Sequence, residues 1–292
     1  MRNVNKENIT DIFLDYFGDD TDPRLREIMV SLATHLHNFA RETKLTHDEW
    51  TTGLDILRRA GSITTPERDE FVLLSDVLGL SSLVDMVNSS PNATSSSVLG
   101  PFHISDAPAR DMGTDLRGSY EGELILVQGM VKTAEGKPIG GATIDIWQTA
   151  PNGLYSSQDP EQDTYSFHAL FTTAEDGRYW FTTVRPVSYT VPTDGPVGDI
   201  LNSTGRHPWR PSHLHFIIKA QGYKSLVTEV FPDDDPYLDE DTVFGVRSDL
   251  VMSYKKQQAG SFPESGFELS GKISEDYSLV EFDLTLAPDA SS

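Results

Sequence analysis

At 292 residues the chain is long enough for one large domain or two modest ones, and 45 acidic against 23 basic side chains leave a formal charge of −22. A surface this acidic repels phosphate backbones and anionic lipid, so nucleic acid and membrane surfaces are not expected partners. Cysteine is absent, which excludes disulfides, thiolate-bound zinc, iron–sulfur clusters and cysteine nucleophiles. The opening MRNVNKENITDIFLDYF lacks the apolar core and cleavage site of a signal peptide, and no apolar run reaches the ~18 residues of a membrane span, so a cytoplasmic location is expected.

The first ~90 residues read as helices. In DPRLREIMVSLATHLHNFARE, Asp22 serves as a cap and Pro23 fits the first turn, and Leu25, Ile28, Met29, Leu32, Leu36 and Phe39 follow helical spacing. Thr46 and Glu49 form a capping box ahead of Trp50, Leu54 and Leu57. In TPERDEFVLLSDVLG, Thr65 is the expected cap, Phe71, Leu74 and Leu78 the apolar face, and Gly79 the stop; SSLVDMVNSS is a shorter helix.

After the linker PNATSSS the pattern changes. Short β-rich runs follow: ELILVQGMVKT, ATIDIWQT, YSFHALFTT, RYWFTTV, HLHFIIKA, SLVTEVF and SLVEFDLTL, separated by turn signals such as AEGKPIGG, PNG, AEDG and PTDGPVG. Seven or more strands without intervening helices argue an antiparallel sandwich or barrel. The expected fold class is therefore α+β, with a helical N-terminal domain over residues 1–97 and an antiparallel β-sandwich over residues 98–292.

The densest stretch is RHPWRPSHLHF, residues 206–216. His213 and His215 are two apart on a strand, so both imidazoles face one point, an arrangement suited to a metal. A buried, hydrogen-bonded histidine pair is the plainer alternative. Tyrosines sit at turn-to-strand corners: Tyr155 in PNGLYSS and Tyr189 in VRPVSYTVPTDG. A phenol stays protonated at neutral pH, so only a strongly acidic cation holds it as phenolate. Ferric iron does this well, whereas zinc and magnesium more commonly take histidines or carboxylates. Each tyrosine alone reads more readily as a core or sheet-edge aromatic than as a ligand; the case for a metal rests on the combination.

SVLGPF at 97–102, GKPIGGATIDIWQTAPNGLY at 136–155, RPVSYTVPTDGPVG at 185–198 and GRHPWRPSHLHF at 205–216 resemble, in order, the intradiol ring-cleaving dioxygenases. The helical N-terminus is most similar to the hydroxyquinol 1,2-dioxygenases. The resemblance implies a non-haem Fe3+ held by Tyr155, Tyr189, His213 and His215, with Tyr189 also a base toward the substrate and Arg210 facing its ring. It implies a pocket from Leu73, Asp76, Val77, Val98, Leu99, Gly100, Pro101, Val191, Pro192, Arg210 and Val243. It further implies a small aromatic diol or triol and O2 as substrates, and a homodimer through the N-terminal helices. Ser212 stands where relatives often have alanine, and Glu229 where glutamine or histidine is usual.

The implied reaction inserts both atoms of O2 into hydroxyquinol (1,2,4-trihydroxybenzene) and gives 3-hydroxy-cis,cis-muconate, which tautomerises to maleylacetate. Asp76 is the polar exception in an apolar slot and is suited to the third hydroxyl, which catechol lacks. The alternatives are a catechol or chlorocatechol 1,2-dioxygenase and, from another class, a non-catalytic β-sandwich binding module in which the two histidines are structural.

Overall fold

The computed structural model describes residues 2–261 and 273–289. It divides into two compact units, Met1–Arg58 and Arg59–Ser292, with the divide inside a helix.

The first unit is helical: α1 (Ile9–Leu14), α2 (Pro23–Thr43) and most of α3 (His47–Ile63). Asp22 caps α2 by accepting from the Leu25 amide at 2.8 Å, with Pro23 in the first turn. The capping box closes as expected, with the Thr46 amide donating to Glu49 Oε2 at 2.8 Å and the Glu49 amide to Thr46 Oγ1 at 3.3 Å. Leu25, Ile28, Leu32, Leu36 and Phe39 form a stripe along α2 that is about half exposed in the single chain.

In the second unit, α4 (Glu70–Val77) and α5 (Leu80–Asn88) precede the strands. The start of α4 differs from expectation. Thr65 and Arg68 exchange backbone hydrogen bonds of 2.9 and 3.3 Å and close a turn, so Thr65 is not the cap. Asp69 takes that place, its Oδ1 accepting from the Phe71 and Val72 amides at 2.9 and 3.1 Å. The buried face of α4 is also rotated from the expected one: Leu73, Asp76 and Val77 are buried, while Phe71 and Leu78 are exposed. Gly79 does stop the helix, at φ 72°, a value a side chain would resist.

The sandwich comprises β1 (Leu124–Thr133), β2 (Thr143–Trp147), β3 (His168–Thr172), β4 (Arg178–Val184), β5 (Tyr189–Thr190), then α6 (Pro196–Ser203), β6 (Trp209–Arg210), β7 (Leu214–Lys219), β8 (Leu226–Pro232), β9 (Val251–Met252), β10 (Lys255–Gln257), β11 (Tyr277–Glu281) and β12 (Leu284–Leu286). The segment PVGDILNS, inside what reads as a turn-rich stretch, is the helix α6, with Pro196 in its first turn.

One sheet runs β10-β11-β1-β12 with β4 also on β1; the other runs β3-β2-β7-β8-β9. The sheets are mixed rather than purely antiparallel, because β11 and β12 return along β1 in the same direction and β9 lies parallel to β8. Parallel pairing requires a long path between partners: β11 reaches β1 from far along the chain, and β12 continues from β11 after two residues. Gly129 lets them come close: a Cβ there would lie 1.9 Å from the Phe282 carbonyl oxygen.

Between the sheets lie Ile125, Val127, Ile144, Ile146, Phe181, Phe216 and their neighbours, all buried. Because side chains alternate, the residues between them face the other way. Four of these form one row across β3, β2, β7 and β8, since His168 opposes Trp147, Trp147 opposes His215 and His215 opposes Glu229. The functional side chains grow from this outer face.

Candidate metal and substrate site

His215 stands in that row, and His213 precedes β7 by one residue. Pro211 O lies 2.8 Å from His213 Nδ1 and accepts its hydrogen, which leaves the Nε2 lone pair free. That Nε2 lies 3.1 Å from His215 Nε2. The Tyr155 hydroxyl lies 3.2 Å from His213 Nε2, 3.1 Å from His215 Nε2 and 3.4 Å from the Tyr189 hydroxyl. All four side chains are buried.

Local structure fixes each donor. Tyr155 follows the turn Ala150–Leu154, where Gly153 sits at φ 79° and Asn152 Oδ1 accepts from the Leu154 amide at 3.1 Å. Tyr189 and Arg210 face each other across the two-residue ribbon of β5 and β6. Trp147 lies flat on the His215 ring, with centroids 4.5 Å apart and planes within 3°, so that imidazole cannot turn.

Burial governs the electrostatics. It pushes both phenols above their ordinary range, more strongly at Tyr155, where the neighbouring Tyr189 adds to the effect. It pushes His213 down to about 3, helped by the Arg210 charge, and His215 well below the usual imidazole range. Two phenols and two imidazoles in this cage thus have no means of ionising among themselves; a cation is what would ionise them. Their convergence and chemistry fit a metal of high charge.

Arg210 is only 2 % exposed, and two buried carboxylates hold it. Its Nη1 lies 3.0 Å from Glu229 Oε1 and its Nε 3.0 Å from Asp241 Oδ1. Oε1 of Glu229 also lies 3.3 Å from His213 Nε2 and 3.4 Å from His215 Nδ1. For His215 this is the ring edge opposite the one turned to Tyr155. Ser97 donates to the other oxygen of Glu229. Space is so tight that a Cβ on Gly245 would lie 2.8 Å from Arg210 Nη2 and from Glu229 Oε2.

Beside these donors, Leu73, Val77, Val98, Val191 and Val243 join Val197 and Leu201 in one buried apolar cluster. Gly100 packs on His215, Pro101 and Pro192 are half-buried, and Leu99 is exposed. Asp76 is buried, its Oδ1 has no hydrogen-bond partner, and burial raises its carboxyl to about 6. Arg206 fixes the wall by donating to the Val77 and Thr242 carbonyls at 2.6 Å each.

Sequence reasoning did not single out Asp241 or Trp147, and it saw Glu229 only as an unusual neighbour. A usable signal existed for Asp241: a buried arginine needs a carboxylate, and DDDPYLDEDT is the acidic segment that follows.

A model described as the catechol dioxygenase N terminus matches residues 22–96, and one described as dioxygenase matches residues 98–288. The chain is 42% identical over 264 residues to the 6-chlorohydroxyquinol 1,2-dioxygenase of Cupriavidus pinatubonensis, covering 90% of this chain and 96% of that one. It is 40% identical to the hydroxyquinol 1,2-dioxygenase of Nocardioides simplex, covering 97% and 96%. The crystal structure of hydroxyquinol 1,2-dioxygenase from Pseudomonas putida superposes with a TM-score of 0.86 at 40% identity, covering 97% of this chain and 99% of that one. Catechol 1,2-dioxygenase from Acinetobacter superposes at 0.80 with 27% identity, covering 98% and 94%. Matches this long and this similar make the chain a member of the intradiol ring-cleaving dioxygenase family.

Proposed function

We propose that this protein is an iron(III)-dependent hydroxyquinol 1,2-dioxygenase, which opens the ring of hydroxyquinol between its vicinal hydroxyls with both atoms of O2 to give 3-hydroxy-cis,cis-muconate and thence maleylacetate. The observation that carries the metal assignment is the convergence of Tyr155, Tyr189, His213 and His215 within 3.1–3.4 Å. In this reading those four hold Fe3+, which supplies the Lewis acidity that keeps the phenols ionised and draws density from a bound diol.

The chain's own groups do the rest. Tyr189, as a phenolate whose burial favours the protonated form, takes a proton from the substrate at its hydroxyl oxygen. Arg210, unable to rotate between Glu229 and Asp241, presents a fixed positive charge to the negative charge that develops on the ring. Glu229 stands behind His215, its Oε1 3.4 Å from Nδ1 without a hydrogen bond, and the stacked Trp147 ring holds that imidazole in place. The valine and leucine walls exclude water, and Asp76 receives the third hydroxyl. Its unpartnered Oδ1 favours hydroxyquinol over the catechol or chlorocatechol reading.

The same proposal divides the chain into a helical domain, residues 1–97, and a catalytic β-sandwich domain, residues 98–292. It pairs two copies through the exposed apolar stripe of α2. It also sets the enzyme in the cytoplasm; among the described residues no helix is long and apolar enough to cross a membrane.

Phenolate-to-ferric charge transfer should colour the iron-loaded protein. Tyr155→Phe and Tyr189→Phe should each shift or weaken that visible band while the fold survives, measured by absorption and circular dichroism. A band unchanged in both variants removes tyrosine from the metal and overturns the assignment.

A further inference from the structure

On the other side of Trp147 from the four donors lies a second cluster that the proposed reaction does not use. Asp145 stands two residues before Trp147 on the same outer face of β2, and His168 opposes Trp147 from β3. His103 enters from the loop after Phe102. His168 Nε2 lies 2.8 Å from Asp145 Oδ1, and His103 Nε2 lies 3.0 Å from Asp145 Oδ2. One donor atom from each of the three residues can be chosen so that all lie within 4.8 Å of one another. Three ligands around one ion need only a modest contraction from there, since metal–ligand bonds are ~2.0–2.2 Å.

The chemistry of the set is selective. Two imidazole nitrogens and one carboxylate oxygen suit a borderline divalent ion, whereas magnesium and calcium prefer oxygen alone. Access is also graded. His168 is 3 % exposed and anchors the cluster, while His103 at 19 % and Asp145 at 17 % leave an open side for water. That is the layout of a site with three protein ligands and free positions. Aromatic packing fixes the rings: His103 meets Trp147 edge-on at 4.6 Å, and Tyr165 meets His168 edge-on at 5.9 Å.

We propose that His103, Asp145 and His168 form a second metal site, for a borderline divalent ion such as zinc or cobalt(II), separate from the four-donor centre and independent of the reading given to that centre.

Untagged, iron-loaded full-length protein should be dialysed against cobalt(II), with bound metal read by elemental analysis and by visible absorption difference. The proposal expects one cobalt per chain, not displaced by magnesium. Loss of a second-shell contact alone costs 10–100-fold in affinity, so His168→Asn and His103→Asn should each weaken binding at least about tenfold. His103 lies on a partly exposed loop, so His103→Asn carries the test should His168→Asn fail to fold. A Tyr155→Phe/His213→Asn double variant, impaired at the four-donor centre, should retain the cobalt. Absence of binding, binding indifferent to both histidine changes, or cobalt lost only in the double variant would each overturn the proposal. The last of these would place the ion at the four-donor centre.

Discussion

Two carboxylates, near opposite ends of the row His168–Trp147–His215–Glu229, each stand against two imidazoles, yet they are built differently. Glu229 is fully buried and shares Oε1 with the guanidinium of Arg210. Asp145 keeps 17 % of its side chain in solvent and is held by His103 and His168. The sheet register places both, but depth decides what each requires. A dry carboxylate needs a fixed countercharge, and a wet one is completed by water. The dry end thereby becomes rigid and electrostatically strong, and the wet end stays open to exchange.

The largest expected effect is at the dry end. Glu229→Ala leaves Arg210 with one carboxylate instead of two, so unfolding in denaturant should show a loss of about 3–5 kcal/mol. A loss under about 1 kcal/mol would mean that solvent reaches the guanidinium and that the two ends do not differ in depth.

Asp76 shares the dry environment, and its titration sharpens the contrast. Burial raises its carboxyl to about 6, so between pH ~4 and ~6 the folded chain binds a proton that the unfolded chain has released. Stability from this group is present at low pH and is lost as pH rises through 6. Asp76→Asn escapes that loss, so its stability relative to the parent should improve by roughly 3 kcal/mol from pH 4 to pH 7. A pH-independent difference would show that Asp76 is hydrated.

The same carboxylate sets the next effect. A charge-assisted hydrogen bond from a third ring hydroxyl contributes on the order of 1.5–3 kcal/mol, so Asp76→Ala should lower kcat/KM for hydroxyquinol about ten- to a hundredfold. Activity on catechol should hold or rise. An unchanged ratio of the two specificity constants would assign recognition to another group.

The smallest effect belongs to the wet end. Asp145→Asn preserves shape and loses charge at a site that water already screens, so thermal unfolding should register about 1 kcal/mol or less. A loss equal to that of Glu229→Ala would erase the distinction between the two ends.

Features with a local cause were legible in the sequence. The caps at Asp22 and Thr46 act within one turn, and the two-residue spacing of His213, just before β7, and His215, within it, leaves their Nε2 atoms 3.1 Å apart. Of the residues expected around the substrate, Leu73, Val77, Val98, Val191 and Val243 lie in one buried cluster, whereas Leu99 is exposed. What escaped depends on contacts far along the chain. Asp241 reaches Arg210 from 31 residues away, and Trp147 meets His215 only through the β2–β7 register. The parallel return of β11 and β12 is likewise a matter of long-range pairing. The Thr65 reading failed for a local reason: two threonine-compatible roles, cap and turn, competed, and the turn to Arg68 prevailed.

The two-residue ribbon of β5 and β6 has a consequence for how such a pocket diversifies. Backbone pairing locks Tyr189 to Arg210, and the Val191 amide donates to the Pro208 carbonyl at 2.9 Å just beyond. The excursion between these anchor points contains Pro192 and α6, part of the wall beside the donors. Its ends are fixed by that ribbon, and its interior is anchored separately, with Val197 and Leu201 buried in the apolar cluster and Arg206 on the Val77 and Thr242 carbonyls. Exchanging residues 192–207 between relatives should therefore reshape only the part of the apolar cluster that Val197 and Leu201 supply, leaving the discrimination proposed for Asp76 and the register of Tyr189 and Arg210 in place.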